Sequence, residues 1–407
     1  MAIPWDSLKL VFHAHENISI VQIGGLADDE TLFVFKALME ETHYMYHELR
    51  LLLSMKSHPN IIARPHGLVM KSRQGDSEPG IVGFLLQLYP GPTLQRKLQI
   101  AGPTITMAEK LSWSRQLASA LIHLRTQGPG YFPDFKPNNI VFAEPSAANE
   151  LHHTPTSSVT RPILLDFEQR GTWYTWAPPE VRYIEYLELL ALTSGEGQIR
   201  QRYTALLKQN FPHWSPEPGF LKRSISNARD GYNFAWTSLT EEGRAKAQMY
   251  AFGKVLWCIF EGVPSPDGPR RVESFLEDFQ QNQNFPEFQA SPPAIQQLIR
   301  RCTAGALDWG SQNSGVVRDG DRIVPWGREA CAHVTAAEAQ DAATQWWQNE
   351  LALAEEFVQY QYGSRNGRED IVVPEHVAQL RRDIQKRPSL EEVVNVLLAL
   401  EAQHETT

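Results

Sequence analysis

Short runs of apolar and β-branched residues mark the first 40 positions. Leu8 to Phe12, Ile18 to Ile23 and Leu32 to Leu38 predict strands, and Gly24-Gly25-Leu26-Ala27-Asp28-Asp29 supplies turn chemistry between the last two. Over residues 41–56 the apolar spacing becomes helical, with Met45, Leu49, Leu52, Leu53 and Met55 on one face and His58-Pro59-Asn60 as the stop. Strands are predicted again at Gly67–Lys71 and Ile81–Leu88, flanking a polar hairpin from Ser72 to Gly80. Tyr89-Pro90-Gly91-Pro92 then breaks the pattern.

Beyond that point the periodicity is mainly helical. Ala108–Thr126 carries Leu111, Leu117, Ala118, Leu121 and Leu124 on one side. Further helices are predicted near 180–210, 243–261, 290–303, 335–362, 374–384 and 389–403. The segments 212–240 and 304–334 are dense in turn residues without a clean period, and Glu144 to Pro162 is a polar Ser/Thr/Pro/His-rich connection expected to be a mobile loop. There is no internal repeat. Five strands followed by helices predict an α+β chain with a small β-rich part and a larger helical part.

Composition narrows the function classes. The chain has 407 residues, 42% hydrophobic and 21% charged, which suits a globular protein with a large core. A formal charge of −9 with no basic stripe argues against nucleic acid as the main partner. Cys258, Cys302 and Cys331 have neither zinc-ligand nor disulfide-framework spacing, which suits a reducing compartment. Nothing at the N-terminus has signal-peptide form and no apolar run is long enough to span a membrane. The expectation is a soluble intracellular protein, cytoplasmic or nuclear, with no membrane partner.

Candidate chemistry concentrates in Asp134-Phe135-Lys136-Pro137-Asn138-Asn139-Ile140, which packs an acid, a base and an amide ahead of an apolar strand-like run. A second acid follows another hydrophobic run, Ile163-Leu164-Leu165-Asp166-Phe167. Phosphoryl transfer needs an acceptor for the hydroxyl proton, a cation near the moving phosphate and oxygen ligands for Mg²⁺, and Asp134, Lys136, Asn139 and Asp166 supply that set. Taken alone, the same heptapeptide is also a good solvated turn, since Pro and Asn favour turns.

These motifs, in this order and over almost the whole chain, resemble a eukaryotic-type protein kinase. The resemblance implies a bilobal fold with a small β-rich N-lobe over residues 1–88 and a larger, mainly helical C-lobe over 89–407, enlarged near 195–245 and 304–385, with ATP and Mg²⁺ held between them. It makes Lys36, in Val34-Phe35-Lys36, the residue that grips the α- and β-phosphates, with Glu48 as its carboxylate partner and Glu40 and Glu41 as rivals. Leu86 would guard the back of an adenine pocket, and Gln87-Leu88-Tyr89 would be the hinge whose backbone binds adenine. Asp134 would orient and deprotonate the substrate hydroxyl, Lys136 would neutralise the γ-phosphate, and Asn139 and Asp166 would ligate Mg²⁺. Lys136 after Asp134 is the Ser/Thr-type arrangement. Glu180, in Pro178-Pro179-Glu180, would pair with Arg387, and Tyr250–Trp257 would be the central helix.

Four departures from the family pattern stand out. No G-x-G-x-x-G lies near the N-terminus; the stretch His13-Ala14-His15-Glu16-Asn17 takes its place, with both histidines expected in a solvated loop. Phe132-Pro133 precedes Asp134 where histidine and arginine are usual, so activation by loop phosphorylation is not expected. Glu168 replaces the glycine after Asp166-Phe167, adding charge near the metal position. Gln248 stands where an aspartate braces the catalytic loop. The segment from Asp166 to Glu180 is short, with Thr172, Tyr174 and Thr175 as candidate phosphosites, Thr172 or Thr175 also being able to contact Asp134 and Lys136. The leading expectation is therefore a Ser/Thr protein kinase acting on a protein substrate. A pseudokinase that binds nucleotide or scaffolds a protein partner is the alternative, followed by a small-molecule kinase of the same fold. The 335–362 helix is expected to pack on the helical part rather than to present a partner surface.

Overall fold

The computed structural model describes residues 1–15, 17–25, 31–37, 42–72, 79–128, 130–143, 160–168, 176–215, 234–266, 285–306, 316–319, 322–325, 335–363 and 373–405. Its first half is built on one mixed six-stranded sheet: β1 (Ala2–Pro4), β2 (Leu8–His15), β3 (Ile18–Ile23), β4 (Phe33–Ala37), β5 (Gly67–Lys71) and β6 (Gly80–Gln87), in the order β1-β5-β6-β4-β3-β2. All pairs are antiparallel except β1, which the sequence reading missed and which lies parallel to β5. At three residues β1 is too short to show a period. β2 is longer than expected: His13 and His15 continue it beside β3 rather than forming a loop, and Ser19 Oγ bonds His13 Nδ1 at 2.9 Å.

The alternation of the strands sorts the sheet into two apolar faces. Val21, Ile23, Phe33, Phe35, Val69 and Leu85 form one cluster with Ile3. Phe84 and Leu86 face the other way and join Leu49 and Leu52 of α1 (Thr42–Ser54) and Met55 just beyond it. Lys36 follows Phe35 and is paired with Phe84, so it belongs to the α1 side. Leu53, expected on the apolar face of α1, is 49% exposed, because one residue beyond Leu52 turns it about 100° round the helix.

The remainder is mainly helical: α2 (Leu94–Ala101), α3 (Met107–Gln127), α4 (Pro179–Thr193), α5 (Gly197–Asn210), α6 (Phe234–Ser238), α7 (Glu241–Glu261), α8 (Pro293–Cys302), α9 (Ala336–Tyr362), α10 (Glu375–Lys386) and α11 (Leu390–Glu405). Two hairpins, β7 (Ile140–Ala143) with β8 (Arg161–Leu164) and β9 (Val316–Asp319) with β10 (Arg322–Pro325), complete it. A Thr106/Glu109 capping box starts α3. The helix expected over 180–210 is two helices, divided at Ser194-Gly195-Glu196, where Ser194 leaves the helical conformation at ψ 129°. The 304–334 segment, expected to be irregular, contains the β9–β10 hairpin, which four-residue strands are too short to announce.

Two cores hold this part together. The first joins α3, α7, α8, α11 and the β7–β8 hairpin to the α1 side of the sheet. α7 is buried from Ala247 to Phe260. A methyl group at Gly253 would meet Cys302 Cβ at 2.6 Å, so this glycine lets α7 and α8 touch. The second core is formed by α4, α5, α6 and the C-terminal half of α9, with Ala354, Phe357, Val358 and Tyr362 facing α4 and α5. The packing expected of the 335–362 helix is present there; the side chains of Trp346 and Trp347 lie outside the described residues. Tyr203 Oη donates to Glu355 Oε1 at 2.7 Å, tying α5 to α9. No helix among the described residues is long and apolar enough to cross a membrane.

Candidate functional site

Packing of α1 on the sheet fixes the first half of the site. Glu48 lies between Met45 and Leu52 on the buried side of α1, on the same sheet face as Lys36. Lys36 Nζ donates to Glu48 Oε2 at 2.6 Å, to Asp166 Oδ1 at 3.0 Å, and lies 2.8 Å from Glu168 Oε1. Glu48 Oε1 in turn accepts the Phe167 N–H at 3.0 Å, so one carboxylate fastens both the lysine and the segment after β8. Glu40 and Glu41, the rival partners, lie outside the described residues.

The second half sits at the open end of the β7–β8 hairpin. Ile140 pairs with Leu164, and the Leu165 N–H reaches the Asn139 carbonyl at 2.9 Å, which sets Asn139 beside the chain leading to Asp166. Lys136 Nζ bonds both Asp134 carboxylate oxygens at 2.8 Å. Asn139 Nδ2 donates to the Asp134 carbonyl at 2.9 Å and to Oδ2 at 3.0 Å. With its NH₂ engaged on Asp134, the amide oxygen is the atom Asn139 has to offer a cation. Asp166 has φ 65°, a left-handed conformation that Asp tolerates better than most residues, and its side chain is 42% exposed. Asp166 therefore looks outward while Phe167 is fully buried.

An aromatic column supports this arrangement. Phe167 packs on Phe132 at 5.0 Å, Phe132 on Phe135 at 6.4 Å, and Phe135 on Phe252 of α7 at 5.9 Å. Gln248 Oε1 accepts the Phe132 N–H at 2.8 Å, so it does brace the Asp134 loop. Pro133 has no N–H to offer, so Oε1 takes one donor there, and among the described residues Gln248 Nε2 is buried without a hydrogen-bond partner. Asn60 was not singled out by the sequence. Its Nδ2 binds the Pro162 carbonyl and Gln116 Oε1, each at 2.8 Å, and its own carbonyl accepts the Leu164 N–H at 2.9 Å. It fixes β8 to the loop after α1.

The electrostatics follow from burial and crowding. Burial alone would depress the Lys36 ammonium, but Asp166, Glu48 and Glu168 hold it well above the usual lysine range. Burial pushes the Glu48 carboxyl up to about 7, with Lys36 pulling against it and Asp166 and Glu168 adding to the rise. Burial also raises Asp134, opposed mainly by Lys136. Carboxylate oxygens of Glu48, Asp166 and Glu168 lie within 4.8 Å of one another. These three carboxylates share the single Lys36 ammonium.

Leu86 is buried at β6 beside Val34 of β4, close to Lys36 in the sheet. Gln87 is exposed at the strand end, with Leu88 and Tyr89 half-buried beyond it. Tyr89 also accepts the Ala63 N–H through its hydroxyl at 3.3 Å. Glu180 and Arg387 form a buried pair in the second core's border, at 2.5 and 3.1 Å. Glu16, Thr172, Tyr174 and Thr175 lie outside the described residues. No protein-family model matches this chain, and no curated protein matches it.

Proposed function

We propose that the chain is an ATP-dependent protein kinase that passes the γ-phosphate to a Ser or Thr hydroxyl. The observation that carries this reading is the meeting of four separated segments. Lys36, Glu48 and Asp166 form one hydrogen-bonded group, and Asp134, Lys136 and Asn139 form another across the same hairpin. The β-rich first part and the helical remainder support a two-lobed arrangement. Bound Mg²⁺·ATP would bring the transferable phosphoryl group and neutralise charge on it.

The chain's own residues divide the work. Asp166 and the Asn139 amide oxygen would hold the metal. Lys36, positioned by Glu48, would bind the non-transferred phosphates, and the Gln87–Tyr89 backbone would hold the base beyond Leu86. Asp134 would receive the hydroxyl proton, its basicity raised by burial. Lys136, 2.8 Å from Asp134, would meet the γ-phosphate oxygens.

The test is Mg²⁺·ATP turnover on a panel of Ser/Thr peptides by the purified chain and by Asp134→Asn. Turnover in the wild type with loss in the variant supports the reading; equal turnover in both rejects the assigned base. One observation favours a second reading: Glu168 lies 2.8 Å from Lys36, which suits a pseudokinase that binds nucleotide or scaffolds a protein partner without turnover. A nucleotide-dependent rise in melting temperature with no phosphoryl transfer to any peptide, sugar or amino-alcohol would select it.

A further inference from the structure

An alkylammonium has three N–H donors. At Lys36 three carboxylates compete for them: Glu48 at 2.6 Å, Asp166 at 3.0 Å and Glu168 at 2.8 Å. A phosphate can bind this lysine only if a carboxylate leaves. Glu48 is poorly placed to do so, being 1% exposed and also holding the Phe167 N–H. Asp166 is 42% exposed at its side chain, so a divalent cation can reach it. Glu168 then remains, its side chain 9% exposed and its carboxylate 2.8 Å from the Lys36 ammonium that a phosphate would have to reach.

We propose that Glu168 is a specificity-determining residue that restricts the Lys36 site to metal-complexed nucleotide. Without a metal, a polyphosphate meets Asp166 and Glu168 together and gains no free donor on Lys36. With one, Asp166 would be held by the cation, the local charge would fall, and a phosphate could take the place of Glu168 on Lys36. This rests on the nucleotide-binding reading above and adds to it the form of nucleotide accepted.

The experiment is calorimetric titration of the full chain with ATP, in EDTA and in excess Mg²⁺, for the wild type, Glu168→Gln and Glu168→Gly. Glu168→Gln keeps size and a weak acceptor while removing charge; Glu168→Gly removes both, so that a defect in one variant's folding leaves the other to decide. The expected result is that wild type binds ATP at least ~10-fold more weakly in EDTA than in Mg²⁺, and that either variant gains ~10-fold or more in EDTA. Wild type binding Mg²⁺·ATP with no gain in either folded variant overturns the assignment to Glu168 and leaves the nucleotide reading standing. Failure of all three proteins to bind ATP in either buffer overturns the nucleotide reading itself.

Discussion

Arg387 grips Glu180 through both guanidinium branches, Nη1 to Oε1 at 2.5 Å and Nη2 to Oε2 at 3.1 Å, across 207 residues of sequence. Arg387 is 1% exposed and Glu180 2%. The arginine also donates to the Ala304 carbonyl at 2.9 Å and the Lys246 carbonyl at 3.1 Å, so four separate segments meet on it. Removing either charged partner leaves the other buried and uncompensated. Arg387→Ala or Glu180→Ala is expected to lower unfolding free energy by about 3–5 kcal/mol. Urea denaturation checks this, and a loss below about 1 kcal/mol would show that the pair is not what fixes α4 to the end of α10.

Lys36 makes a second prediction. Replacing it with methionine leaves Glu48, Asp166 and Glu168 facing one another without a cation. Lys36→Met is expected to melt below the wild type in metal-free buffer and to lose the stabilisation by Mg²⁺·ATP that the proposed function requires. Differential scanning fluorimetry reads both effects. A variant that keeps the full nucleotide shift would remove Lys36 from the phosphate site.

Asp134 predicts a pH dependence of turnover. As the proposed base it would have to be ionised, and burial raises its pKa. Activity should therefore fall as pH drops through a value above the ordinary carboxylate figure of about 4. In a peptide-phosphorylation assay, Asp134→Asn is expected to lose ~10²-fold or more in kcat while retaining ATP affinity. An acid limb at or below the ordinary value would contradict the environment described for Asp134.

Glu188 on α4 predicts a pH dependence of stability. It is 6% exposed and accepts the Trp214 indole N–H at 2.9 Å, and burial pushes it up to about 8, with Glu185 adding to the rise. The folded state therefore binds this proton more tightly than the unfolded chain does. Its contribution is largest below the unfolded value near 4.5 and is lost as pH rises to about 8. Glu188→Gln keeps an acceptor for Trp214 without the charge. Its stability should fall less than the wild type's between pH 5 and pH 9, by about 1–3 kcal/mol, in urea titrations across that range. Parallel curves would place Glu188 outside the pH response.

Much of the local structure was legible in the chain. The strand runs from Leu8 to Leu88, the helix at Met45–Leu52 and the apolar spacing of Leu111, Leu117, Leu121 and Leu124 announced elements that are present. Glu48 was separable from its neighbours because it shares a helical face with Met45, Leu49 and Leu52. The short β1, the β9–β10 hairpin and the break at Ser194-Gly195-Glu196 were not legible, since three or four residues carry no period and a parallel pairing leaves no local mark.

The order of residues therefore determined which acids, amides and bases lie within a few positions of one another, and which face of each helix and strand is apolar. Burial supplied the rest. Only the packing of α1 against the sheet and of the hairpin against Asn60 decided that Lys36 meets three carboxylates rather than one, and that Gln248 reaches the Phe132 amide. Those contacts join residues 12 to 132 positions apart, and no local propensity encodes a distance that arises when separate apolar faces exclude water together.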